Sequence, residues 1–159
     1  MGVLRIGERE SQVLADPVPS MSNAVGSLRS QIALSPRNVK VALVDVALIA
    51  VFVLVGEVNH GISPLESPLR VLGTFAPFLV GWVVVSVLLG TYRSRAFRSA
   101  KAAASVAGAA WISAALLGQL LRGTALFHGD LTLAFTIVSV FVGLALLAPW
   151  RVLVAFRRG

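Results

Sequence analysis

Apolar residues run almost unbroken through four blocks of the chain, at about residues 39–59, 69–91, 101–122 and 131–156, and short polar stretches separate them. None alternates with the period of two expected of a half-buried strand, and each outlasts a soluble core strand. Each block is close to the roughly 20 residues an α-helix needs to cross about 30 Å of hydrocarbon. In lipid a segment must satisfy its own backbone groups, so the blocks predict helices. The expected fold is all-α, an integral membrane four-helix bundle over residues 37–159.

The segment before it, residues 1–36, is rich in Ser, Pro and charge without sustained periodicity. It reads as a disordered cytoplasmic tail with room for one short amphipathic helix near residues 22–34. It lacks the apolar stretch of a cleaved signal peptide, so the first span is expected to direct insertion. "SPRN" supplies Ser35 as N-cap and Pro36 as first helical residue of that span.

Composition sharpens this picture. The chain of 159 residues is 57% hydrophobic and 13% charged, and has no cysteine. Disulfide and thiol chemistry are thereby excluded, and a metal site would have to use His, Asp or Glu. The net charge of +7 is unevenly placed. Arg29, Arg37 and Lys40 precede the first block, Arg93, Arg95, Arg98 and Lys101 follow the second, and Arg151, Arg157 and Arg158 close the fourth. Only Arg70 and Arg122 lie on the opposite side. That asymmetry predicts a multi-pass protein of the plasma membrane with both termini in the cytoplasm. The basic excess therefore faces lipid headgroups, not nucleic acid.

An offset of 62 residues aligns the chain with itself, pairing Gly56 with Gly118, Glu57 with Gln119, His60 with Arg122, Thr74 with Thr136 and Gly81 with Gly143. A true repeat would make the bundle two tandem helical hairpins; chance among small residues in apolar helices gives the same pairs.

Small residues at helical spacing (Gly73 and Gly81, Gly108 and Gly118, Gly143) are candidate helix-packing positions. Pro77 cannot donate an amide and frees the Gly73 carbonyl. Thr132 and Thr136 should lie at similar depth, which predicts a polar contact between the second and fourth spans. Tracing the spans brings Glu57 to the outer end, with Asn59, His60, Thr74, Pro77, Gln119, Arg122, His128, Asp130, Thr132 and Thr136 as a candidate polar cup.

Asp45 lies inside the first span, where a carboxylate is costly and tends to face the bundle interior. It is read either as pairing with Lys40, Lys101 or an Arg of the inner loop, or as a proton or cation relay. His60 and His128 raise a haem or metal hypothesis, but neither lies within a helix with supporting partners, so no cofactor and no metal is expected.

An Asp early in the first span, "GEVNHG" after it, "APFLVGW" in the second and "RG…FHGDLTLAFTIVS" leading into the fourth resemble an uncharacterised family of four-span prokaryotic membrane proteins, of the actinobacterial and haloarchaeal type. The resemblance spans about residues 38–155 and implies that Asp45, His60, Pro77, Gly81, Trp82 and Arg122 occupy motif positions. It brings no activity with it.

No nucleophile triad, phosphate loop or zinc-protease motif is present, so an enzyme ranks last. The leading expectation is a binding or transport module for a small polar solute or ion, working from the outward cup as a homo-oligomer. The alternative is an accessory or structural subunit that packs against a larger membrane complex.

Overall fold

A computed structural model describes residues 35–127, 129 and 131–158. The expected tail therefore lies almost wholly outside the described residues, as do His128 and Asp130. Within them run α1 (Pro36–Asn59), α2 (Pro68–Leu89), a single 3-10 turn (Ser94–Phe97), α3 (Ala100–Arg122) and α4 (Leu133–Phe156). All four α-helices are long and apolar enough to cross a membrane, and no strand occurs among the described residues.

Local chemistry sets the helix ends. Ser35 Oγ accepts the Asn38 amide at 3.2 Å, and Pro36 opens α1 behind it. Ser99 Oγ accepts the Ala102 amide at 3.1 Å and starts α3 in the same way. The second block is read to residue 91, but α2 stops at Leu89, where Gly90 turns left-handed at φ 61° and Thr91 and Tyr92 follow. Such a φ is cheap only without a Cβ, so the glycine makes the helix stop.

The helices form a ring in which α2 and α4 flank α3 closely and α1 more loosely. The reason is side-chain size. α3 buries Ala103, Ala107, Ala110, Ala114 and Gly118, small enough for its neighbours' backbones to approach. A Cβ at Gly81 would strike the Ala114 carbonyl, one at Gly143 would strike the Trp111 indole, and one at Gly118 would press on Phe78 and the Pro77 carbonyl. Gly108 has only ordinary contact with Leu144, and nothing lies near a Cβ at Gly73, which sits away from any helix crossing. α1 meets the bundle through larger groups, Ile49, Phe52 and Val53. The hairpins α1–α2 and α3–α4 that the internal alignment superposes thus pack unequally.

Midway along the bundle, aromatic rings fill the interior. Phe52 stands edge-on to Phe78 and Trp111, with centroids 5.4 and 5.9 Å away, and Phe135 stacks on Phe52 at 6.5 Å. The lipid-facing surface is apolar too: Leu43 and Val55 on α1, Leu72 and Leu88 on α2, Leu120 on α3 and Phe141 on α4 are all exposed. Polar groups are therefore inside or at the ends, as expected when the solvent is hydrocarbon.

The second and fourth spans do not meet through the expected polar contact. Phe78 and Phe135 bridge α2 and α4 instead, with centroids 6.0 Å apart. The Thr136 hydroxyl donates to the Thr132 carbonyl of its own helix at 2.9 Å, a local bond that needs no partner helix.

Candidate functional site

Two polar clusters lie inside the bundle, one toward each end. At the end rich in Arg and Lys, Asp45 of α1 and Arg151 of α4 are almost completely buried, at 0% and 1% exposed. Arg151 Nε donates to Asp45 Oδ1 at 3.0 Å and Nη2 to Oδ2 at 2.7 Å, a two-pronged ion pair. The third prong, Nη1, donates to the Thr91 carbonyl at 3.0 Å. Tyr92 completes the cluster, its hydroxyl donating to Asp45 Oδ2 at 2.7 Å while accepting from Trp82 Nε1 at 3.1 Å. The guanidinium lies 4.7 Å from the Tyr92 ring centre and 5.4 Å from that of Phe97, so its faces meet π-systems. Burial first, and then the adjacent Asp45 carboxylate, push the Tyr92 phenol above its usual 10.0, which keeps it a hydrogen-bond donor.

The sequence expectation for Asp45 named Lys40, Lys101 or an Arg of the inner loop. The partner is Arg151, five residues before the end of α4. Lys40 and Lys101 are exposed, and the planar guanidinium fork meets both carboxylate oxygens with two N–H bonds, a geometry that a lysine's point charge does not supply. A signal for Arg151 was present: five apolar or small residues, Val152 to Phe156, follow it, which places a charge inside the span. Tyr92, Thr91 and Trp82 carried no such mark. The cluster is saturated, with three donors on the carboxylate and each guanidinium nitrogen engaged, so its chemical capacity is to hold α1, α4 and the α2–α3 connection together. Asn38 and Arg158 extend the tie: Asn38 Nδ2 donates to the Tyr92 carbonyl at 3.0 Å, and Arg158 Nη2 to Asn38 Oδ1 at 2.9 Å.

The far end is built differently. Polar groups of all four helices lie toward this end in a layer of two pairs, one joining α1 to α2 and one joining α3 to α4. Glu57 of α1 is 9% exposed and accepts from the Thr74 hydroxyl of α2 at 2.6 Å. Arg70 Nε reaches the same carboxylate at 3.3 Å, from a side chain 62% exposed. On the other side, Gln119 of α3 is 2% exposed, and its Nε2 donates to Ser139 Oγ of α4 at 3.2 Å. Ser139 Oγ in turn donates to the Phe135 carbonyl at 2.6 Å, and Trp111 Nε1 to the Ser139 carbonyl at 3.1 Å. Because the serine proton is committed to Phe135, the amide must present its NH₂ to Ser139. Its oxygen, Gln119 Oε1, is then buried with no hydrogen-bond partner.

Of the expected cup residues, Thr74 and Gln119 enter this layer, and Pro77 lies buried beneath it. Asn59, His60 and Thr132 are exposed, Thr136 is half-buried and bonded within α4, and Arg122 lies half-buried over the Phe135 ring at 4.4 Å. Glu57 and Ser139 also belong to the layer. The sequence brings Glu57 to the outer end and sets Ser139 in a polar stripe with Thr132 and Thr136. No group of His, Asp and Glu able to hold a metal occurs among the described residues.

Four membrane-length helices around a filled aromatic centre, with a polar cluster toward each end, define a four-helix membrane bundle. Residues 42–154 match the DUF3054 family, described as a protein of unknown function, and the chain belongs to that family. No curated protein and no solved structure matches it.

Proposed function

We propose that the bundle binds a small hydrogen-bond donor, a cation such as ammonium or a compact neutral amide, in the polar layer at its far end. One observation carries this reading: Gln119 Oε1 is a buried acceptor left open in a layer where every neighbouring hydroxyl is already committed. Leaving such a group unpaired costs about 1–3 kcal/mol, a penalty that a ligand N–H would relieve. The Glu57 carboxylate in the same layer favours a donor that is neutral or positive. The layer supports the outward cup expected from the sequence, in the narrower form of Glu57, Thr74, Gln119 and Ser139.

The test is the melting temperature of the detergent-purified chain titrated with ammonium, methylammonium and urea, with tetramethylammonium as a cation that cannot donate. Stabilisation by the donors alone, lost in Gln119→Leu, supports the reading. Equal shifts with tetramethylammonium, or shifts that survive Gln119→Leu, defeat it.

Transport would require more than this layer. The rings of Phe52, Phe78 and Trp111 fill the interior of one copy on the inner side of Thr74 and Gln119, so a crossing path would run between copies. In the proposed topology the arginine-rich end faces the cytoplasm across the plasma membrane, following the charge asymmetry. Because the chain has no cysteine, single cysteines at Thr124 and Ser94 can be labelled in intact cells with a membrane-impermeant maleimide; labelling of Ser94→Cys alone would reverse the orientation. The accessory-subunit reading rests on α4, whose span is only 17% buried against its own bundle. It predicts that Phe141→Ala releases a co-purifying membrane protein without changing the melting temperature.

A further inference from the structure

A concavity of about 380 Å³ opens at the arginine-rich end, between the close of α2, the 3-10 turn and the start of α3. It is distinct from the far-end layer and from the Asp45 cluster. Its rim carries Arg95, Arg98 and Lys101, and no acidic side chain lines it. None of the three cations forms an ion pair with any described residue. Beside them the lining is Leu89, Ala96, Ala102 and Val106, with Ser99 and Ser105.

Three cations with no ion-pair partner among the described residues, lining one hollow, recognise an anion, and the apolar part of the lining fits the hydrocarbon that follows a headgroup. The hollow also sits where one membrane-length helix ends and the next begins, the position at which a spanning helix meets headgroups. Backbone amides at the start of the 23-residue α3 add a field of the same sign. We infer that this hollow is a binding site for a phosphate group, contributed by an anionic phospholipid.

Competition and mutation test the assignment on the full chain in detergent. Phosphatidylglycerol and phosphatidylcholine are titrated separately, with retained lipid read by native mass spectrometry. Phosphatidylglycerol should be held and phosphatidylcholine not, since the zwitterion cancels the charge that the three cations read. A juxtamembrane cation contributes about fivefold in affinity, so Arg98→Gln or Lys101→Gln should each weaken binding by about that factor. Arg157→Gln, at the same end but outside the hollow, should leave it unchanged. Arg98→Lys keeps the charge and should retain most of the binding, which separates lost affinity from a damaged fold. Inorganic phosphate supplies the other arm: if it displaces phosphatidylglycerol at matching concentration, the phosphate site stands and its natural ligand is a soluble phosphate. Equal retention of both lipids, or an Arg157→Gln effect as large as that of Lys101→Gln, overturns the inference.

Discussion

The two ends of the bundle each hold a carboxylate facing an arginine, yet the pairs have opposite characters. Asp45 and Arg151 are shut away from solvent, meet through two hydrogen bonds, and are completed by Tyr92 and the Thr91 carbonyl. Glu57 meets Arg70 by a single contact of 3.3 Å, and the arginine stays mostly in solvent. The contrast shows how burial decides what an ion pair can do. Removed from water, a charge must have every valence filled, and a filled cluster is a fastening. Where one partner stays in solvent, as Arg70 does, the same chemistry is weak and replaceable.

The largest effect should come from breaking the buried pair. Arg151→Met leaves a lone carboxylate and should cost about 3–5 kcal/mol of unfolding free energy. In a denaturation series the double variant Asp45→Leu/Arg151→Met should recover much of that loss; if it falls as far as the sum of the single variants, the pair is not a closed unit. Next comes Tyr92→Phe, which removes a hydrogen bond to a charged group and should cost about 1.5–3 kcal/mol. The rim pair should matter least. Arg70→Gln is expected to change stability by under about 1 kcal/mol and to do so less at high salt. A larger, salt-insensitive loss would erase the distinction between the ends.

Alkaline pH gives a finer probe of the same contrast. The folded protein holds the Tyr92 proton above the ordinary value of 10.0. Above that value the unfolded chain has released the proton and the folded chain has not. Tyr92's contribution is therefore complete below the unfolded value and is lost as pH rises toward the folded one. Melting temperature should decline above about pH 10, and the decline should be shallower in Tyr92→Phe.

Much of the fold was readable because hydropathy and capping are local. Four blocks of bilayer length announced four helices, and Ser35 with Pro36 marked the start of the first. The end of the second helix was read two residues late, although Gly90 followed by Thr91 and Tyr92 is the ordinary signature of a left-handed stop. The fastening was only half legible. Asp45 stood out as an intramembrane acid, but its partner lies 106 positions away, and choosing among a dozen arginines requires knowing which helix faces which. The far-end layer was foreshadowed at Thr74 and Gln119. Asn59 and His60, which share its end of the bundle, turn outward because their helix has already reached its terminus.

That long separation sets a timetable for the nascent chain. At ribosomal rates of about 5–20 residues per second, Arg151 is made roughly 5–20 s after Asp45. Until then the first helix holds an unneutralised acid in the bilayer, at a cost of about 2.5–3.5 kcal/mol on insertion scales. The last helix to be synthesised thus secures the first, and a ribosome that stops early releases a chain whose opening segment is poorly anchored.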